Sequence, residues 1–187
     1  MAILMVRHAT PNIDYGKCGY KEAISRLIDY DLVKKIMINE INIELIRRNI
    51  EFNKKLDILC SSKSRAILTC RQILKMLDVD HEPFITNDLD EIEMKIMRIP
   101  FIKMNLTSWF LISRIKWLCL FYMKNKVEIY NKCGNIISSI LEKDNAIIVS
   151  HGMLLFFLKK VLEDKKYKKI DIYKKGCFTI EVWSHEA

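Results

Sequence analysis

Glycine and proline are scarce, five and three residues in a chain of 187, and nowhere do they gather with serine into a linker or a low-complexity tract. No segment recurs at a fixed period, so a repeat array is excluded. A chain of this length buries most of its apolar surface without a staple, and residues 1–187 read as one domain. The cysteines, at positions 18, 60, 70, 119, 133 and 177, include no C-x-x-C pair. That removes the spacing of a zinc site or a disulfide framework and leaves reduced, buried thiols as the expectation. No Walker-type glycine loop and no carboxylate cage occur either, so neither a metal nor another cofactor is expected. The first residues lack a basic region followed by a long apolar core and a cleavage site, from which a cytoplasmic location is expected.

What the chain does have is positive charge, +8 net, and 50% hydrophobic residues. The lysines are spread along it, with a modest cluster in EDKKYKKIDIYKKG, residues 163–176. Without an interleaved aromatic pattern this reads as a solvated basic face rather than a nucleic-acid surface. The most membrane-like stretch is LTSWFLISRIKWLCLFYM, residues 106–123. Arg114 and Lys116 near its centre count against a spanning helix. A buried or groove-covering helix is the first reading. An interfacial helix is the second, because Lys103, Lys124 and Lys126 flank the apolar part. Trp109, Phe110, Trp117 and Phe121 read as packing residues.

Three short apolar runs, AILMV (2–6), LDILC (56–60) and AIIVS (146–150), have the unalternating pattern of strands buried on both faces. CFTIEVW (177–183) alternates weakly and reads as a last strand. Helical composition over 20–28, 40–52, 106–123 and 126–142, and after Ser64 and His151, makes the whole an α/β fold. Its expected form is a mostly parallel central sheet with helices on both faces. In such sheets ligands bind beyond the carboxyl ends of the strands. Those ends carry Arg7 with His8, Ser61 through Arg65, and Ser150 with His151.

Two guanidiniums suit bidentate contact with a tetrahedral oxyanion such as phosphate, and the first turn of a helix at 64–66 adds N–H donors. A neutral imidazole can attack phosphorus while a second donates to a non-bridging oxygen. A leaving alkoxide needs a proton, and NDLDEIEM (87–94) offers four carboxylates for that role.

With these residues in view, the sequence resembles the histidine phosphatase superfamily, whose fold is phosphoglycerate-mutase-like. VRHAT is similar to its R-H-G/A motif, CSSKSRAILTC to its S-S-x-x-R-A-x-x-T segment, DLDEIEM to its L-x-E segment, and VSHGMLL to its second-histidine motif. The four follow one another in the family's order between residues 4 and 155. The resemblance implies a three-layer sandwich with a helical cap insertion over about 95–130, of which the apolar part is 101–123. It implies a metal-independent phosphatase in which His8 becomes phosphohistidine while Arg7, Arg65 and His151 hold the phosphoryl oxygens. Glu91 matches the general acid, with Glu93 as the alternate. Ala9 and Thr10 stand where mutase-type members have glycine and then an acid or amide, which favours hydrolysis over phosphomutase activity. A weakly active protein that binds phosphorylated ligands or a partner is the remaining alternative. The substrate is either a small phosphate ester or a phosphoprotein.

Overall fold

The computed structural model describes residues 2–50, 56–143 and 145–185, apart from the side chains of Phe121 and Met123. Its centre is a six-stranded sheet with helices around it. Strand β1 (Ala2–Arg7) lies between β6 (Asn145–Ser150), parallel to it, and β8 (Phe178–His185), antiparallel to it. Beyond β6 come β3 (Leu56–Ser61) and β4 (Phe84–Thr86), both parallel, and beyond β8 comes β7 (Tyr167–Lys175), antiparallel to its neighbour. The three apolar runs are therefore the strands that sequence pattern indicates, each within a residue or so at its ends.

Alternate residues of these strands enter two separate cores. Leu4, Val6, Ile58, Cys60, Ile147 and Val149 pack with α2 (Glu44–Asn49) and α3 (Ser64–Leu77). Ile3, Met5, Ala146 and Ile148 pack instead with α5 (Met123–Leu141) and α6 (Gly152–Asp164). Burial on both faces explains why the central strands are continuously apolar rather than alternating.

The predicted helix at 40–52 shortens to a 3-10 turn, Ile38–Glu40, followed by α2, and residues 51–52 of that prediction lie outside the described residues. The helix expected at 20–28 extends as α1 (Tyr20–Asp31). The apolar stretch at 106–123 becomes α4 (Leu106–Trp117) and then a π-helical segment, Leu118–Tyr122, that runs directly into α5. A third, small apolar cluster of Cys18, Ala23, Ile96, Leu106 and Trp109 joins α1 to α4. The short ladder between β2 (Lys17–Cys18) and β5 (Met104–Asn105) supports it, and Trp109 Nε1 donates to the Cys18 carbonyl at 2.9 Å.

Trp109 and Trp117 are packing residues, the latter against Phe157, and Phe110 stands edge-on to Tyr30. The lysine-rich run at 163–176 is exposed almost throughout, as expected of a solvated basic face, and most of it forms β7, an edge strand whose lysines oppose edge-to-edge pairing. One expectation needs correction: not all the thiols are buried, since Cys119 is exposed and Cys177 half-buried, although none is in a disulfide among the described residues.

Candidate active site

The register of the parallel ladder decides which side chains meet. Arg7 lies opposite Ser150, and Cys60 opposite Val149, so the last residues of β1, β3 and β6 end in one row. His8, Ser61 and His151 leave the sheet together there, and α3 brings Arg65 from its first turn. All four are buried: His8 is 1% exposed, Arg65 3%, and Ser61 and His151 fully enclosed.

Arg65 ties the two imidazoles together. Its Nε–H reaches His8 Nε2 and His151 Nδ1, each at 3.2 Å. Each ring is turned by the partner of its other nitrogen. His8 Nδ1 is 2.8 Å from the Ala9 carbonyl, which only a protonated Nδ1 can satisfy, so the lone pair is on Nε2. His151 Nε2 is 2.7 Å from Ser61 Oγ, which itself donates to Asp90 Oδ1 at 2.7 Å. This chain leaves His151 with its lone pair on Nδ1, facing Arg65.

Both histidines are held well below the ordinary value of 6.5. For His8 the causes are burial first, then the Arg65 and Arg7 charges, only partly opposed by the hydrogen bond to Ala9. For His151 they are burial, then Arg65, His8 and Lys63. A neutral ring suits His8, because a protonated Nε2 could not act as a nucleophile, whereas His151 in this tautomer presents an acceptor to the site and not the donor to a phosphoryl oxygen that the sequence suggests.

The motif residues around these groups hold them in place. Thr69 Oγ1 accepts the Ala9 N–H at 3.0 Å and donates to the Arg65 carbonyl at 2.7 Å, fastening the loop after β1 to α3. Ala9 is fully buried, which explains a small residue there. Buried Glu40 accepts from Thr10 N at 2.8 Å and Thr10 Oγ1 at 2.6 Å. Gly176, at φ +57°, passes directly over that carboxylate, where a Cβ would stand 1.9 Å from Oε1. Gly152 serves similarly: a Cβ there would lie 3.3 Å from the Arg7 guanidinium, so glycine lets Arg7 rest on the first turn of α6.

Arg7 has no carboxylate partner among the described residues. Its Nη2 meets only the Cys177 thiol, at 3.9 Å, and its buried Nε–H has no acceptor. Arg65 is differently placed, with Nη1 on Asp31 Oδ1 at 2.5 Å and its guanidinium 4.6 Å from the centre of the Tyr30 ring. The Tyr30 hydroxyl stands 3.4 Å from His8 Nε2, and burial pushes its pKa up to about 12, so it remains neutral. A cavity of about 350 Å³ opens above, lined by Arg7, Tyr30, Lys63, Arg65, Glu91, Glu93 and Arg114 among others. His8 and His151 lie beneath its floor, covered by Arg65 and Tyr30.

Of the predicted site residues, Arg7, His8, Arg65 and His151 thus converge, and Glu91 and Glu93 both reach the cavity wall. Glu91 is the deeper: it accepts from Leu154 N at 3.3 Å and pairs with Arg114 Nη2 at 3.2 Å, whereas Glu93 is exposed. Of the other two carboxylates of that segment, Asp90 is committed to Ser61 and Ser62, and Asp88 accepts from Thr86 Oγ1 at 3.3 Å, the hydroxyl that caps the turn by accepting the Asp88 N–H. Sequence reasoning places Ser61 at a strand end but does not identify it as a partner of His151. A hydroxyl ending a fully buried strand was the available signal. Tyr30, Asp31 and Arg114 carry no local signal at all.

No protein-family model matches the chain, and no curated protein matches it. A solved structure, the product of the open reading frame Rv3214 from Mycobacterium tuberculosis, is similar at 13% identity over 84% of this chain and 77% of its own, with a TM-score of 0.44.

The two depressed histidines make stability depend on pH. Unfolded, each binds a proton below about 6.5, while the folded chain does not, so stability is full above that value and falls as the pH drops through it. The loss approaches about 1.4 kcal/mol per pH unit for each histidine until the folded-state values are reached. Urea unfolding between pH 7.5 and 5 should show this slope, and His8→Asn should remove roughly half of it. An unchanged slope in the variant would assign the dependence elsewhere.

Proposed function

We propose that this chain is a phosphatase that hydrolyses a phosphomonoester through a phosphohistidine on His8, without a metal, on a phosphoglycerate-mutase-like three-layer sandwich whose residues 95–130 cap the site. The observation that carries the reading is the tautomer of His8. With Nδ1–H held by the Ala9 carbonyl, the Nε2 lone pair is aimed at the place where Arg7, Arg65 and His151 meet. The four-motif resemblance to the histidine phosphatase superfamily agrees with it.

In this scheme the phosphate enters the cavity and takes the Arg65 hydrogen bonds now made to the two imidazoles, while unpaired Arg7 supplies the second guanidinium. His8 Nε2 forms a bond to phosphorus as the ester P–O bond breaks, its electron pair leaving on the alkoxide oxygen. Glu91, as the acid, gives that oxygen its proton. The ring gains positive charge as it is phosphorylated, and the Ala9 carbonyl on Nδ1–H stabilises it. Water then attacks phosphorus and loses a proton to the Glu91 carboxylate. The P–N pair returns to His8, and phosphate departs. Carrying the proton requires Glu91 to part from Arg114, and phosphate entry requires Asp31 to yield Arg65. The resting arrangement is therefore a closed one, with the Asp31 carboxylate standing where a substrate oxyanion would bind.

Phosphate released from an aryl phosphate in excess chelator tests the activity, and acid-labile, alkali-stable labelling from the substrate tests the intermediate. His8→Ala should abolish both; label that persists would exclude this nucleophile, and inactivity of the wild type across a broad phosphate panel would leave a ligand-binding role instead. Glu91→Gln should slow esters with poor leaving groups far more than those with good ones, because only the former need the proton. Equal slowing would remove Glu91 from the acid role. Asp31→Asn frees Arg65 and should tighten inorganic phosphate binding by up to about fivefold, the scale of a half-exposed ion pair, as read by calorimetric titration. Weaker binding in that variant would show that Asp31 positions Arg65 instead of competing for it.

A further inference from the structure

The cavity mouth is bordered by helices that expose aliphatic side chains in rows. On α1, Ile24, Ile28 and Leu32 follow at four-residue intervals and share one face, all exposed. On α4 and its continuation, Leu111, Ile115 and Leu118, four and three residues apart, are likewise exposed. The two helices meet through the Tyr30–Phe110 ring contact, and Leu27 and Leu111 themselves line the cavity. At the start of α1, beside Tyr20, Phe101 projects wholly into solvent from a backbone at φ +61°, next to exposed Ile102. A bulky residue seldom adopts that conformation, so the turn holds an aromatic ring outward at a cost.

Around α4 positive charge predominates. Residues 95–132 contain eight Lys and Arg against a single acid, Glu128. Of the three acids of α1, Glu22 is paired with Arg26 and Asp31 with Arg65, while Asp29 is exposed, so the positive side of the rim is that of α4. We propose that this rim, from Phe101 across α1 and α4 to Leu120, docks on an anionic lipid bilayer, its aliphatic rows entering the headgroup boundary and its lysines meeting lipid phosphates and carboxylates. Exposed Leu, Ile and Phe interleaved with Lys is the composition of an interfacial helix. No helix among the described residues is long and apolar enough to cross a membrane, so attachment is to one surface. The cavity would then open at the lipid boundary. The docking stands on exposure and charge and does not depend on phosphatase activity.

The full chain would be co-sedimented with vesicles of phosphatidylcholine alone and of phosphatidylcholine with 30% phosphatidylserine. The expected result is binding to the anionic vesicles at least about tenfold stronger than to the neutral ones, and weakened by 0.5 M salt. Ile115→Ser with Leu120→Ser should lower it by about tenfold while the urea midpoint and circular dichroism stay unchanged. Lys116→Glu with Lys124→Glu, which leaves the aliphatic rows intact, should lower it as much. No binding to anionic vesicles, or equal binding by wild type and both variants, overturns the proposal. So does a concentration-dependent dimer in light scattering that Ile115→Ser with Leu120→Ser abolishes, because the rim is then covered by a second copy.

Discussion

One buried cation organises this molecule's site. The Arg65 Nε–H is shared between His8 Nε2 and His151 Nδ1, and each contact requires that its own ring nitrogen carry no proton. Burying a guanidinium costs several kcal/mol unless its donors are satisfied. Here the two imidazoles, Asp31 and the Tyr30 ring satisfy it together. Burial, with the cation's charge added, keeps both rings neutral, and neutrality leaves His8 Nε2 the lone pair that accepts from Arg65. Much else in the surroundings serves this arrangement. Ala9 and Ser61 set the tautomers, Thr69 fastens Arg65 to the loop after β1, and Asp90 anchors Ser61.

The sheet makes such a cluster possible because parallel strands end together. Arg7 and Ser150 are level in the ladder, and the loops leaving β1, β3 and β6 share one edge. The helices that follow β3 and β6 start at that edge, and the first turn of α6 brings a backbone N–H to Glu91. A second layer of contacts closes the space. α1 places Tyr30 and Asp31 over Arg65, and α4 places Arg114 on Glu91. The same two helices carry the aliphatic rows, so access to the histidines and the chemistry of the outer rim are properties of one structural unit.

Much of this was legible beforehand. Unbroken apolar runs reported strands buried on both faces, and polar residues immediately after them marked the edge that holds the candidate site. Arg65 and Thr69 occupy the buried face of α3, four residues apart, where an apolar pair would be expected on packing grounds alone. The acid segment was only half legible. Four carboxylates in seven residues cannot be ranked by composition, and the ranking came from Asp90 being bound by Ser61 and Ser62 while Glu91 faces α6 and Arg114. The edge strand β7 was hidden because its lysines and isoleucines resemble a charge run, and strand formation there depends on pairing with β8.

The sequence by itself determined the α/β class, the strands that carry Arg7, His8 and His151, and the helix that carries Arg65, because burial on two faces and helical periodicity are local patterns. Only the tertiary structure decided the tautomers of the histidines, the closure by Tyr30 and Asp31, and the pairing of Arg114 with Glu91. Apart from the bond between His8 and the adjacent Ala9 carbonyl, these contacts join residues 22 to 90 positions apart, and no local pattern encodes a meeting that depends on how α1 and α4 settle over the sheet edge.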